Sequence, residues 1–401
     1  MIKSFSNISQ RFIFLTIICI LICFIQIVLI FQLFSDSSSN EKSILLPSFH
    51  ISNTILNCTQ KLKCPNNIKY FSIHIDKNIE YPNITYIRSP IFSIILDIIR
   101  NSSYYTHDSS LACIHIAPVD TLDRDRRSKN GYYTYFIEQR FKFFYEWSDP
   151  NKIHLIFNHY TVHYLLGTWP SYRRTLDFIL PSQYILASTS FTYNNYNCLS
   201  DITFPLFHID YPSNLTNKFF SSRKILLSFK GKSYEDVQHH RTFFRHLNNN
   251  HDIIIKYTDN NNNNNNNNSY DQNEYIELLR QSYFCLVPSG RRLYSYRFLE
   301  SLQYGCIPVI TTNDNELIIL PFSEIINWSK SIIIIYSNIS LSLLPYYLRN
   351  ISIYQRNHMQ IECRNIWLKY FSSISRIILT LLDILNDRFI TSSSSFLSFE
   401  R

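Results

Sequence analysis

The chain has 401 residues, of which 45% are hydrophobic and 16% aromatic, enough for more than one core built on large rings. Its formal charge of +8 is scattered rather than gathered in one run. With no zinc-finger, RNA-binding or basic-helix signature beside it, that charge suits an anionic small ligand or an acidic polymer and argues against nucleic acid.

In chain order, residues 12–34 read FIFLTIICILICFIQIVLIFQLF, an apolar run without a charge. About 20 such residues span a hydrocarbon core. The run is too long for a cleaved leader, and no small-residue cleavage site follows it. Lys3 and Arg11 precede it and the first acid is Asp36. The positive-inside rule therefore predicts a single-pass type II anchor with a cytosolic tail at 1–11 and a lumenal remainder; such an anchored lumenal protein is expected on a secretory-pathway membrane, Golgi or endoplasmic reticulum. A lumenal location predicts oxidised cysteines. Beyond the anchor stand Cys58, Cys64, Cys113, Cys198, Cys285, Cys306 and Cys363, an odd number that leaves at least one thiol or an intermolecular bridge. Glycosylation sequons begin at Asn57, Asn83, Asn101, Asn214, Asn327, Asn338 and Asn350, as in secretory-pathway proteins. Residues 35–57 are polar and Ser-rich and read as a stem.

Residues 58–220 read as a first α/β domain. Strands are predicted at 111–119, 152–160 and 184–189, with a helix at 136–147 between the first two. The segment DTLDRD (120–125) follows the first of these strands and holds Asp123 and Asp125. That spacing fits a metal-binding Asp-x-Asp pair. It also fits a general base facing an acceptor hydroxyl, or a helix cap bonded to Arg124, Arg126 and Arg127. His159 and His163 stand four apart, with no third ligand in view, and read as a structural pair rather than a metal site.

Residues 221–354 read as a second α/β domain. KILLSFKGK is a strand entering a glycine loop, VQHHRTFFRHL a helix, DIIIKY a strand, YIELLRQS a helix and FCLVP a strand. Nine consecutive Asn at 260–268 form a surface insertion. Residues 355–391 carry apolar positions at helical spacing and predict closing helices. Together this predicts an α/β, GT-B-like fold: two Rossmann-type domains facing a cleft, behind an N-terminal transmembrane helix.

The stretch FCLVPSGRRLYSYRFLESLQYGCIPVI (284–310) carries the chemistry. It reads as strand, loop, helix and strand, with Ser295 capping the helix. Ligands of such units sit at the carboxyl ends of the strands. Arg291 and Arg292 on the loop supply charge-assisted bonds to phosphate. Arg297 and Glu300 share a helix face, where the carboxylate can accept ribose or sugar hydroxyls. The sum is a nucleotide-diphosphate site. The plainer alternative is a solvated loop beside a surface ion pair worth ~0.3–0.5 kcal/mol. Cys285 and Cys306 open neighbouring parallel strands and are predicted to bond.

At these residues the chain resembles the exostosin family, in its glucuronyltransferase domain. The resemblance extends to LPFSEIINW (320–328), CIHIAPVDTLDRD (113–125), HLIFNHY (154–160), GTWP (167–170), LLSFKGK (226–232) and YFSSISRIILTLLDILNDR (370–388). It implies an inverting, metal-independent transferase with no cofactor beyond its donor, UDP-glucuronate, and a GlcNAc-terminated heparan-type acceptor. By position, Ser289, Arg291, Arg292, Arg297 and Glu300 match the family's donor segment. Lys230, Lys232 and Arg241 match its second basic cluster, and Cys64 with Cys113 its second disulfide. Asp123 and Asp125 then fall on the acceptor side as candidate catalytic bases. Long members of the family carry a further domain that adds GlcNAc, so a second exostosin subunit is the expected partner. A non-catalytic subunit, or a related enzyme using another UDP-sugar, are the alternatives.

Overall fold

A computed structural model describes residues 62–64, 70–76, 90–116, 151–158, 183–189, 191–194, 196–207, 223–231, 241, 243–258, 272–289, 295–311, 318–335 and 338–390. All of them lie in one compact unit, Ser48–Arg401. The anchor predicted at 12–34, the helix at 136–147, the His159–His163 pair and the Asn tract lie outside these residues. Among the described residues, no helix is long and apolar enough to cross a membrane.

Among the described residues, two five-stranded parallel sheets organise this unit. The first contains β2 (Ile73–Ile75), β3 (Ile114–Ile116), β4 (His154–Asn158), β5 (Tyr184–Ser188) and β7 (Asp201–Thr203), side by side in chain order. The second has the order β13-β11-β10-β8-β9, built from β8 (Ile225–Gly231), β9 (Ile253–Tyr257), β10 (Ser282–Pro288), β11 (Ile307–Thr311) and β13 (Ile333–Ile335). Its strands are near-continuous apolar runs, as befits a parallel sheet covered on both faces. Phe284, Cys285, Leu286, Ile307 and Val309 are fully buried.

The predicted strand at 111–119 is shorter than expected. Asp108 accepts a bond from the Ser110 amide at 2.9 Å and caps a 3-10 turn over Ser109–Leu111, so regular pairing starts only at Ile114. Histidines also line up across the first sheet. His74 pairs in register with His115, and His115 with His154. His115 Nδ1 lies 3.1 Å from Asp76 Oδ1, just past the carboxyl end of β2.

Helix α1 (Pro90–Arg100) opens with proline, which suits a first helical position. It buries Phe92, Ile95, Leu96 and Ile99, one face at helical spacing. The C-terminal part of the described chain is helical, beginning with α4 (Asn338–Asn350). α5 (Ile353–Ile366) starts at a Ser352/Gln355 capping box and runs into a π-helical turn, Trp367–Phe371. α6 (Ile374–Arg388) is capped by Ser373 and packs on α1. It ends in β14 (Phe389–Ile390), which pairs in parallel with β1 (Leu62–Lys63) at the other end of the described chain.

Two further links cross between the sheets' surroundings. β12 (Ile318–Ile319) leaves the second sheet's region to pair antiparallel with β6 (Phe191–Thr192). Phe322, in the left-handed backbone region at φ 53°, then donates its amide to the Thr203 carbonyl. Nearby, the Arg388 guanidinium bonds to Glu324 and to the Tyr196 hydroxyl, with side-chain exposures of only 4% for Arg388 and 11% for Glu324.

Candidate functional site

The carboxyl ends of β8, β10 and β11 come together at Gly231, Pro288 and Thr311. Pro288 pairs with Thr311, and the ladder continues one residue further through the Ser289 amide to the Thr311 carbonyl at 3.2 Å. Five of the residues singled out in sequence meet at this edge. Lys230 is the penultimate residue of β8 and Ser289 the first past β10. Arg297 opens α3 (Arg297–Gln303), which carries Glu300 one turn on. Arg241 is helical, with its guanidinium carbon 5.9 Å from the Phe229 ring centre. Lys232, Arg291, Arg292, Asp123 and Asp125 lie outside the described residues.

Each of the five is held by a specific partner. Arg297 reaches across to β8, where its Nη2 donates to the Lys230 carbonyl. Its guanidinium carbon lies 4.5 Å from the Phe229 ring centre and 5.2 Å from that of Tyr275. Gly231 makes room for this: a Cβ there would meet Arg297 Nη2 at 3.0 Å and Phe229 Cζ at 3.2 Å. Arg241 is 7% exposed and donates from Nε and Nη2 to the Ser289 carbonyl, both at 3.3 Å. The Tyr275 hydroxyl donates to Glu300 Oε2. The Lys230 ammonium, 5% exposed, pairs with Glu274. Those bonds, from Lys230 first and Lys256 second, hold the Glu274 carboxyl down at about 2.

Among the described residues, three polar positions at this edge stay buried without a hydrogen-bond partner: Ser289 Oγ and the Nε and Nη1 of Arg297. Each such group costs roughly 1–3 kcal/mol when left unmade. A hydroxyl and two guanidinium N–H groups are the kinds of donor that bond an anion.

Ser295 behaves as the sequence predicts. Its Oγ accepts from the Arg297 amide at 3.3 Å, while Tyr296 already has helical torsions of −51° and −32°. The Cys285–Cys306 bond is present, with Cα atoms 5.8 Å apart, but its geometry differs from the expected pairing of strand starts. β10 begins at Ser282, so Cys285 sits mid-strand opposite Pro308 and the bridge runs diagonally back to Cys306. Cys64 bonds to Cys113, Cys198 is disulfide-bonded, and Cys363 is a buried free thiol.

Sequence reasoning missed Glu274, Tyr275 and Phe229. Glu274 and Tyr275 lie on α2 (Gln272–Gln281), where they read as an ordinary surface acid and a core ring. The available signal was the alternation of Phe229 with Lys230 at the end of β8. Among the described residues, no group of three or more His, Cys, Asp or Glu side chains is arranged to hold a metal ion.

A family model, the Exostosin GT47 domain, matches residues 70–351. This chain belongs to the exostosin GT47 family. That membership places it among glycosyltransferases. It is 35% identical to Exostosin-1c of Danio rerio over 313 residues, covering 73% of this chain and 41% of that protein. It is 34% identical to Exostosin-1 of Bos taurus over 325 residues, covering 73% and 40%. The match thus spans about two fifths of the length of these relatives. Among solved structures, the Candida albicans trehalose-6-phosphate phosphatase N-terminal domain overlays with a TM-score of 0.37 at 9% identity, covering 82% of this chain and 99% of that one. WaaG, a glycosyltransferase involved in lipopolysaccharide biosynthesis, overlays at 0.36 and 10%, covering 79% and 99%. Overlays at those scores decide neither fold nor chemistry.

Proposed function

We propose that this exostosin-family chain is an inverting glucuronyltransferase, moving glucuronic acid from UDP-glucuronate to a GlcNAc-terminated heparan-type chain. The observation that carries the reading is the gathering of Ser289, Arg297, Glu300, Arg241 and Lys230 at one carboxyl edge, with buried Ser289 and Arg297 donors awaiting an acceptor. A pyrophosphate supplies acceptor oxygens for those N–H and O–H groups, and Glu300 supplies a carboxylate for hydroxyls. In this reading the second sheet is the donor domain and the first the acceptor domain, facing it across a cleft in the GT-B manner.

The chemistry follows from the charges. As the glycosidic bond to the diphosphate breaks, negative charge grows on the leaving UDP. Fixed cations stabilise that charge without reorganising. Arg297 is one, and Arg291, Arg292, Lys230, Lys232 and Arg241 complete the set, so no metal is invoked. The acceptor hydroxyl loses its proton to a base, for which Asp123 and Asp125 are the candidates. The chain works in the Golgi or endoplasmic reticulum lumen behind its type II anchor, with a second exostosin subunit as partner.

The full-length chain in detergent, titrated with UDP and a panel of UDP-sugars, tests the reading. UDP is expected to bind, and Arg291→Ala and Glu300→Ala to weaken it by about tenfold or more. Absence of UDP binding in the parent would reject the enzyme reading in favour of a non-catalytic subunit. Turnover only from another UDP-sugar would select a related enzyme.

A further inference from the structure

Tyr275 touches both members of the Arg297/Glu300 pair. Its hydroxyl donates to Glu300 Oε2, and its ring lies against the Arg297 guanidinium at 5.2 Å. The residue itself is 5% exposed and belongs to a cluster with Leu279, Cys285 and Cys306, against which Tyr304 also packs. The Cys285–Cys306 bond therefore stands behind it. A tyrosine ring has few internal rotations, and this one is fixed by α2 on one side and a disulfide on the other. Glutamate and arginine are rotamer-rich, and each loses freedom when it must hold one geometry for a ligand. One rigid side chain that engages both removes much of that cost before a ligand arrives.

We propose that Tyr275 is a positioning residue of the donor site, holding the Glu300 carboxylate where it reads the ribose of a nucleoside diphosphate and the Arg297 guanidinium beside it. The inference rests on the donor-site reading above and adds to it a residue outside the strand-loop-helix segment. Tyr275 acts through Glu300 and Arg297 and need not touch the ligand. Tyr275→Phe keeps the ring beneath Arg297 and removes the hydroxyl that bonds to Glu300.

The test is calorimetric titration of the full-length chain in detergent with UDP and with 2′,3′-dideoxy-UDP. Parent, Tyr275→Phe, Glu300→Ala and the double variant are compared, alongside their melting midpoints. Tyr275→Phe is expected to weaken UDP about 5- to 10-fold and to leave the dideoxy ligand and the midpoint nearly unchanged. The double variant is expected to bind UDP no more weakly than Glu300→Ala alone, since the two residues act as one unit. Parent-like UDP affinity in Tyr275→Phe, where Glu300→Ala is impaired, overturns the proposal and leaves the donor reading standing. Equal weakening of both ligands by Tyr275→Phe reduces the residue to a packing role and also overturns it. Parent-like binding in Glu300→Ala removes the donor role of that carboxylate and the proposal with it.

Discussion

Lys230 and Lys256 lie in register on adjacent parallel strands, and one carboxylate, that of Glu274, bonds to both. Two ammonium groups side by side repel, and Lys230 is nearly buried. Glu274 makes the pairing tolerable, and it comes from α2, the helix that also carries Tyr275. The arrangement ties the end of β8 to α2 and so to the site.

Glu274→Gln is expected to destabilise the protein by about 1–2 kcal/mol, once the exposure of the carboxylate is allowed for. The unfolded chain protonates this group near ~4.3, whereas the folded one holds it at about 2. The stabilisation is therefore complete above the unfolded value and is lost as pH falls toward the folded one. Chemical denaturation of parent and variant should show a constant difference from neutral pH to about 5 that narrows only below about 4. A difference that closes between pH 7 and 5 would contradict this.

Gly231→Ala places a methyl 3.0 Å from Arg297 Nη2 and 3.2 Å from Phe229 Cζ. The guanidinium is the end of a flexible side chain and yields first, leaving the Lys230 carbonyl. The expected result is a UDP affinity reduced about tenfold with a melting midpoint that falls only slightly. A large fall in the midpoint with unchanged affinity would place the strain in the backbone instead.

The Cys285–Cys306 bond closes a loop with a sequence separation of 21, and its loss is expected to cost about 3 kcal/mol. Because these sulfurs pack behind Tyr275, a Cys285→Ala/Cys306→Ala variant should also bind UDP more weakly while still folded. Cys363 should behave differently. Burial pushes its thiol well above the ordinary range, so alkylating reagents are expected to spare it in the native protein and modify it only in denaturant. Mass spectrometry of alkylated peptides distinguishes the two cases.

Glu324→Ala leaves the Arg388 guanidinium buried with its charge partner gone, at an expected cost of about 3 kcal/mol. Tyr196→Phe removes one hydroxyl from the same cluster and should cost about 1 kcal/mol. If the cluster acts as a unit, the double variant will be less destabilised than the two effects summed. Urea unfolding of the four proteins measures it.

The strand-loop-helix-strand unit at 284–310 is legible in the sequence because each part has a local signature. FCLVP and CIPVI are unbroken apolar runs, and Ser295 marks the helix start. The diagonal disulfide is half legible: the strand-loop-helix-strand pattern makes Cys285 and Cys306 neighbours, but their offset depends on where β10 begins. Tyr275 and Glu274 are illegible because their partners lie on β8, β9 and α3, and nothing local to α2 indicates which of its faces meets them. The histidine row is hidden for the same reason. The triplets IHI, IHI and IHL show only alternation, and the register that sets His74, His115 and His154 side by side joins segments roughly forty residues apart.

The pairing of β1 with β14 sets a mechanical property of the fold. Leu62 lies beside Phe389 and Lys63 beside Ile390, with both strands running the same way. A pull applied through the chain before Leu62 and after Ile390 would draw the two strands in opposite directions along their length. Their hydrogen bonds would then be loaded together, in shear, rather than peeled apart one after another. Tension between those two points would meet this small clasp, and the Cys64–Cys113 bond beside it, before it reached the sheets.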